Sequence, residues 1–468
     1  MGTSLTGLSS KTQYMQINMN DMIFNLAKTS YLRYNTLRSC TRTCVRVRRT
    51  SQKQTLMSAK NGGKEMKRYL AIILACMMLV GVFAGCAKTA TPGTSASPSA
   101  SAAAGTKVVK IGVFEPASGD NGAGGKQESL GVQYANKLTP TVKIGNDTYT
   151  VQLENADNQS STDKAPSAAA TLVSKGVSVV LGSYGSSVCI AASETFKNAG
   201  IPAIGITCTN PQVTLGSTNY FRICFLDPFQ GTVLANFAND QFKAKKAYCL
   251  AKLGDDYSVG LCNYFKQAFE KLGGTVIMES FPDGNSDFTS YITSAKNDGA
   301  DVFFAPVSTE AAALIIDQAS SQGLTMPILA GDTWDSNVIV NAAKGKNIKI
   351  YIDTFYQEGG NKDFDTGFKA WLKGDATALA NNGGDDTIAA VSAMGFDAYY
   401  VALEALKAAG STDPVAVNKA IWGVDYTGVS GEIKFNSTIG DAIRDTAYVK
   451  TANTQTGKWD FVAVQKAK

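Results

Sequence analysis

Histidine is absent from this sequence of 468 residues. The absence excludes serine and cysteine nucleophiles activated by histidine, and every zinc or haem site with a histidine ligand. Any catalytic acid or base would have to be a carboxyl, lysine, tyrosine or cysteine side chain. At roughly 100 to 200 residues per domain, the length allows two to four domains.

Charged residues are sparse as well, at 18%, whereas hydrophobic residues make up 44%. This composition is typical of a folded chain rather than of a disordered or polytopic one. The net charge of +5 combines two unlike regions, since residues 1–65 carry 11 bases and two acids, and residues 87–468 carry 31 bases and 37 acids. The larger region is mildly acidic, which argues against nucleic acid as a partner.

One long apolar run is present, in residues 66–86, and it has the layout of an export signal. Lys67 and Arg68 precede about 14 apolar residues, fewer than the roughly 20 that span a bilayer as a helix. The end of this segment, Val82–Cys86, resembles the bacterial lipobox, and the resemblance implies that Cys86 is acylated and becomes the first residue. An ordinary signal peptide or an uncleaved anchor is the alternative.

The segments on either side of this signal are not expected to build a core. Residues 87–106 are small, polar and interrupted by proline, which is typical of a flexible linker. Residues 1–65 form a basic leader that would keep the export machinery from engaging a signal so far inside the chain. We interpret the leader as a mis-assigned start, with translation beginning at Met66; a genuine transit-type leader is the alternative.

Five cysteines follow Cys86, and they lack the spacing of a metal site or of a disulfide scaffold. Their number is odd, and no CxxC pair is among them. We expect most of them to be small core residues, with at most one or two disulfide bridges. The five are Cys189, Cys208, Cys224, Cys249 and Cys262.

From Lys107 onward, short β-branched runs alternate with amphipathic segments. This alternation predicts parallel sheets with helices on both faces, and about 360 residues are too many for one sheet, so we expect two α/β lobes. The predicted strands are Val108–Phe114, Thr150–Leu153, Val177–Leu181, Ala203–Ile206, Ala247–Leu250, Thr275–Glu279, Val302–Ala305, Ile328–Ala330 and Ile348–Ile352. The predicted helices are Thr162–Ser174, Val188–Ala199, Gly231–Phe242, Val259–Leu272, Phe288–Asp298 and Glu310–Gln322.

Two similar passages support one such α/β unit in each half of the chain. Residues 175–182 and 297–305 both lead from a helix end with glycine into a buried strand, and each is followed by a helix, a proline and another strand. Ligands of open α/β sheets bind beyond the carboxyl ends of the strands. With two facing lobes, the cleft between them is therefore the expected site.

Short passages spread over residues 107–462 occur in an order that carries a family resemblance. They are Val109–Val113, Ser118–Gly119, Gly125–Ala135, Gly182–Ser187, Gly200–Pro202, Phe221–Arg222, Asp255–Tyr257, Asp287–Phe288 and Gly331–Asp335. No single motif is specific, but in this order and spacing they resemble the branched-chain amino-acid-type substrate-binding proteins of ABC importers, a periplasmic-binding-protein type I family. The resemblance implies lobe 1 from residues 107–227 and 356–428, lobe 2 from residues 228–355 and 429–468, and a three-strand hinge.

The loop after the strand ending at Leu181 predicts one half of a ligand site. Ser186 and Ser187 stand at the start of the next helix, where free N–H groups and the helix dipole favour an anion such as a ligand carboxylate. Plain N-capping is the alternative. The resemblance implies in addition that Thr207 and Thr209 contact the ligand ammonium and carboxylate, unless they only form a threonine-rich turn.

Residues of the second lobe complete the predicted site. An amino acid needs a buried anion opposite its ammonium. Asp332, after the strand ending at Ala330, is our first choice and Asp335 our second. Helix N-capping is the alternative for Asp332. Trp334 is expected to wall the cleft. The resemblance implies that Tyr257 is a pocket aromatic residue, and Ser308 is placed in the pocket because it follows a predicted strand.

The chain departs from this family at two pocket positions. Val307 stands where relatives often carry tyrosine, and the loop of residues 121–125 lacks a frequent aromatic residue. We therefore expect a roomier or more polar pocket than one built for leucine.

Together these features predict a lipid-tethered receptor on the outer face of the cytoplasmic membrane that delivers an amino acid to an ABC permease. It is expected to act as a monomer, without cofactor, metal or catalytic step. One alternative is a sensor of amides, peptides or other small molecules. Another is a surface enzyme using Asp332 or Tyr257 as acid or base, but the sequence lacks histidine and any paired-carboxylate motif.

Overall fold

The computed structural model describes residues 107–436 and 438–466, which build two mainly parallel sheets flanked by helices. The predicted α/β fold with two lobes is confirmed. The leader, the export signal with Cys86 and the linker lie outside the described residues.

Lobe 1 is built on a six-stranded sheet with the order β2-β3-β1-β4-β5-β6. Strand β2 runs antiparallel to β3, and the other neighbours are parallel. The strands are β1 Lys107–Glu115, β2 Thr141–Ile144, β3 Asp147–Asp157, β4 Val179–Leu181, β5 Ala203–Gly205 and β6 Tyr220–Arg222. The helices between them are α1 Gly122–Leu138, α2 Ala165–Lys175 and α3 Ser186–Asn198, with a 3-10 turn at Pro211–Val213.

Lobe 2 is built on a seven-stranded sheet with the order β15-β14-β11-β10-β9-β7-β8. Strands β7 to β11 are parallel, whereas β14 and β15 add an antiparallel edge. The strands are β7 Lys246–Lys252, β8 Thr275–Phe281, β9 Val302–Phe304, β10 Ile328–Ala330, β11 Ile350–Thr354, β14 Ala447–Asn453 and β15 Lys458–Gln465. The helices are α4 Asp227–Phe242, α5 Asp256–Lys271, α6 Thr289–Asn297, α7 Thr309–Ser321 and α8 Asn337–Ala343, with a 3-10 turn at Asp332–Trp334.

The segment between β11 and β14 returns to lobe 1. It contains α9 Lys362–Gly374, α10 Ala376–Asn381, α11 Ala390–Ala409, α12 Pro414–Ile421 and the hairpin of β12 Asp425–Gly428 with β13 Gly431–Lys434. Ile433 and Phe435 join the core of lobe 1, and the N–H of Ala442 donates to the carbonyl of Arg222 in β6 at 2.7 Å. The chain therefore changes sheet between residues 442 and 447, later than the expected boundary at residue 429, which falls inside the hairpin.

The central strands of both sheets are short and continuously apolar because helices cover both of their faces. All residues of β4, β9 and β10 are buried. The edge strand β15, in contrast, is exposed or half-buried along its length. This burial explains why the predicted strands include all the central parallel ones, whereas the exposed edge strand β15 gave no comparable signal.

The five cysteines after Cys86 are all free and buried in the structure. They therefore act as small core residues, as expected. No helix in the described part of the chain has the length and apolar character needed to cross a bilayer.

Helices α1 and α11 cross at two glycines that face each other's backbone. A Cβ at Gly131 in α1 would lie 1.9 Å from the carbonyl oxygen of Ser392, and one at Gly395 in α11 would lie 2.3 Å from the carbonyl oxygen of Glu128. Only residues without a side chain allow this approach. The crossing fixes α1, and with it the loop that leads from β1 into this helix.

Gly131→Ala is expected to lower the free energy of unfolding by about 3 kcal/mol, because the two helices must move apart. Gly374→Ala is the matched control: the position ends α9, and a Cβ there meets nothing within 4 Å. The control should be neutral or slightly stabilising. Urea unfolding of both variants measures the difference, and equal stability would contradict the proposed close crossing.

Candidate ligand-binding site

A cavity of about 50 Å³ lies where the two lobes meet. Its lining residues lie at or just beyond the carboxyl ends of parallel strands or in the first turn of the next helix, as expected for an open α/β sheet. Lobe 1 contributes Asp120, Asn121, Ser160, Tyr184, Gly185 and Ser186, and lobe 2 contributes Lys252, Asp255, Tyr257, Ser308 and Thr333. Three of the predicted site residues, Ser186, Tyr257 and Ser308, thus meet at one cavity.

Helix α3 points its N-terminus at this cavity. It begins at Ser186 after Gly185, and no side chain caps it, so its first N–H groups lack intrahelical partners. The Ser186 hydroxyl accepts from the N–H of Asn210 at 3.2 Å. The Ser187 hydroxyl instead reaches lobe 2, where it donates to Asp255 at 2.9 Å and accepts from the N–H of Asp256 at 2.9 Å. Ser187 therefore joins the lobes.

Thr207 and Thr209 lie behind the cavity wall rather than on it. The Thr207 hydroxyl donates to the buried carboxyl of Glu128. Thr209 is fully buried beside Asp227, and its hydroxyl has no partner at hydrogen-bonding geometry in the described residues. The contacts with ligand that the resemblance implies for these two threonines remain predictions.

Asp332 lies one hydrogen bond behind the cavity. Its Oδ1 accepts from Gln230 Nε2 at 2.6 Å and from the hydroxyl of Tyr257 at 3.1 Å. Burial raises the pKa of Asp332 to about 7, and these two hydrogen bonds oppose the shift. A Cβ at Gly331 would lie 2.2 Å from Gln230 Oε1 and 2.5 Å from the Tyr257 hydroxyl, so glycine is required to bring the three groups together.

Trp334 does not line the cavity, although we expected it to wall the cleft. Its side chain is fully buried in the core of lobe 2, and its indole N–H donates to the carbonyl of Val307 at 3.0 Å. We expected this aromatic ring to line the site because it is next to polar residues in the sequence, but the 3-10 turn that begins at Asp332 directs the ring into the core of lobe 2. Ser308 both caps α7, accepting from the N–H of Ala311 at 3.3 Å, and lines the cavity.

Several lining residues were not predicted from the sequence, most clearly Asp120 and Lys252. Lys252 ends β7, and its Nζ lies 2.5 Å from Asp120 Oδ2 of lobe 1 and 2.7 Å from Asp283 of lobe 2. Asp120 also accepts through its carbonyl from the N-terminal turn of α7. The signal that could have identified Lys252 as a lining residue is its position just after the carboxyl end of a predicted strand.

Further contacts hold the lobes together around the cavity. The Tyr184 hydroxyl donates to the carbonyl of Thr333 at 2.7 Å, and its ring packs against Gly124. Gln127 of lobe 1 donates to Asn337 and accepts from Ser336, both in lobe 2, at 3.1 and 2.9 Å. The structure is therefore that of the closed arrangement.

Buried acids surround the site on its inner side. Glu115, Glu128, Asp227, Asp332 and Asp353 are all at least nine-tenths buried. Burial raises the pKa of Glu128 to about 7 and that of Asp227 to about 8, and it also raises the pKa of Glu115 and Asp353. The site consequently offers carboxyl groups that can take up or release protons near neutral pH.

Two lobes that close over one polar cavity, lined from both sides, define a solute-binding protein. Residues 108–457 match the periplasmic binding protein family. Leu/Ile/Val-binding protein homolog 1 of Brucella suis is 31% identical over 327 residues, which cover 67% of this chain and 82% of that protein.

Solved structures agree with this match. A leucine-binding protein of Thermotoga maritima superposes with a TM-score of 0.67 at 31% identity, covering 77% of this chain and 99% of that one. A branched-chain amino acid transporter substrate-binding protein of Streptococcus pneumoniae, solved with isoleucine, gives 0.66 at 25% identity, with coverage of 77% and 100%. The chain belongs to the periplasmic binding protein family, a family of non-catalytic proteins, and it is an ABC transporter solute-binding protein.

The raised carboxyl pKa values predict that the ligand-free protein loses stability as the pH rises. These acids keep protons in the fold that the unfolded chain releases above about pH 4, so the free energy of unfolding should fall between about pH 4 and pH 8. The slope is about 1.4 kcal/mol per pH unit for each proton of difference. Calorimetry at pH 5 and pH 8 measures it, and Asp332→Asn should flatten part of the slope. A higher stability at pH 8 would contradict the assignment.

Proposed function

We propose that this chain is the extracytoplasmic substrate-binding lipoprotein of an ABC importer, and that it holds an amino acid between its lobes. A lipid on Cys86 would anchor it to the outer face of the cytoplasmic membrane, and a membrane permease would receive the ligand. The observation that carries the proposal is the opposition of Ser186 and Tyr257 across one cavity, with Asp332 behind the tyrosine.

The negative end of a zwitterion suits the lobe 1 side of the cavity. The uncapped N-terminus of α3 presents N–H groups there, and the helix dipole adds a partial positive charge. A ligand carboxylate would accept from these N–H groups and from the Ser186 hydroxyl. Thr209, whose buried hydroxyl lies beside Asp227 and has no partner at hydrogen-bonding geometry in the described part of the chain, is a further contact that the family resemblance implies.

The positive end of the ligand suits the acids on the inner side. An ammonium beside Tyr257, whose hydroxyl donates to Asp332, would stabilise the carboxylate of Asp332 and displace the proton that burial favours. The ligand would thus bring a positive charge to a carboxyl group that forms no ion pair within the described residues. Because its two ends belong to different lobes, the full set of contacts exists only in the closed arrangement, and ligand binding would favour closure.

Asp332→Ala is expected to weaken amino-acid binding by at least 100-fold while leaving the fold intact, since a buried charge-assisted hydrogen bond is lost. Binding of the wild type should also weaken below about pH 7, where protons compete with the ammonium for Asp332. Titration calorimetry with twenty amino acids measures both effects. Asp317→Ala, which removes an exposed carboxylate of lobe 2, is the control. Unchanged affinity in the Asp332 variant would remove this residue from the site.

The proposed lipid anchor on Cys86 predicts that Cys86 is the N-terminal residue of the mature protein. In the native cell, mass spectrometry should find a chain that begins at Cys86 and carries acyl groups, and Cys86→Ala should leave the protein outside the membrane fraction. Peptides from residues 1–65 in the purified protein would contradict both the start at Met66 and the lipoprotein assignment.

A further inference from the structure

We propose that the cavity selects an amino acid with a small hydrogen-bonding side chain, an amide or a hydroxyl, over a branched aliphatic one. The inference rests on the proposed function and narrows its ligand. It starts from the wall of the cavity, where ten of the eleven lining residues carry a polar side chain and the eleventh is Gly185. No aliphatic side chain of the described residues lines this cavity.

The groups available to a ligand side chain are those left over once the two ends of the zwitterion are bound. Ser186 and Tyr257 lie near the proposed carboxylate and ammonium positions. Lys252, Asp255 and Ser308 line the rest of the same cavity from lobe 2. They combine an ammonium donor, a carboxylate acceptor and a hydroxyl that can do both.

Lys252 is held in place rather than free to swing away. Its Nζ is fixed between Asp120 and Asp283, and its side chain is only 21% exposed. Asp255 is held as well, because its two oxygens accept from Ser187 and from the N–H of Ser258 at 2.9 and 3.0 Å. A donor and an acceptor at fixed positions match an amide or hydroxyl, which can accept from one and donate to the other.

An aliphatic ligand side chain could not form hydrogen bonds with these lining groups. It would displace water from these groups without replacing the hydrogen bonds, and unpaired buried polar groups oppose binding. Apolar atoms do occur nearby, since Phe281 and Leu314 line a neighbouring cavity of about 90 Å³. Asp120, Lys252 and Ser308 line both cavities, so a branched side chain would have to separate the Asp120–Lys252 ion pair to reach the apolar atoms.

Isosteric ligand pairs test this selectivity. Threonine differs from valine by a hydroxyl in place of a methyl group, and asparagine differs from leucine by an amide in place of an isopropyl group. Titration calorimetry of the full chain in detergent should give at least tenfold tighter binding of threonine than of valine, and of asparagine than of leucine. Equal affinities, or tighter binding of valine and leucine, would overturn the proposed selectivity but leave the proposed amino-acid binding intact. Failure of all twenty amino acids to bind would overturn the proposed function itself.

Lys252→Met tests the group to which the selectivity is assigned. The threonine-to-valine affinity ratio should fall by about tenfold, because the fixed donor becomes an apolar group. Lys266→Met is the matched control, since Lys266 forms an exposed ion pair with Glu270 on the surface of α5. If Lys252→Met does not fold, Ser308→Ala serves in its place. An unchanged ratio in a folded variant would overturn the assignment to that residue.

Discussion

Burial of several carboxyl groups at the junction of two lobes is the constraint on which the rest of this structure depends. Isolated buried carboxylates are unfavourable, so each needs a proton, a hydrogen bond or a cation. Arg222 pairs with Asp441 at 2.6 Å, and Lys450 pairs with Asp335 at 2.9 Å, whereas both oxygens of Asp353 lack a partner in the described residues. Ion pairs with these two cations thus account for only some of the buried acids, and for Asp353 burial raises the pKa instead.

The same junction explains how closure and binding are connected. Ser187 bonds to Asp255, Tyr184 bonds to Thr333, and Lys252 pairs with Asp120, each across the boundary between the lobes. These contacts surround the cavity and are lost when the lobes separate. The Tyr184–Thr333 hydrogen bond is buried, and the Ser187 and Lys252 contacts are half-buried, so the boundary between the lobes is polar and only partly open to water.

Sequence patterns predicted the fold, and three of the predicted site residues line the cavity, whereas their contacts with a ligand remain predictions. Buried strands such as β4 and β9 were found because a continuous apolar run between helices has few other structures available. Ser186 was predicted from its position at a helix start and Ser308 from its position after a strand. Tyr257 was predicted from the family resemblance alone. Trp334 was expected at the cavity but lies in the core of lobe 2, since the direction of a short turn decides where its ring points. Lys252 was not predicted, since its partner Asp120 is more than one hundred residues away in the chain.

The sequence by itself determined the alternation of strands and helices and the polar ends of those strands. Local backbone hydrogen bonding and burial impose these patterns on neighbouring residues, so they can be read along the chain. Only the tertiary structure decided which polar groups share a cavity, which tryptophan joins the core and where the last segment changes sheet. Those outcomes depend on strand order and on closure of two lobes, which bring together residues such as Asp120 and Lys252 that no local pattern connects.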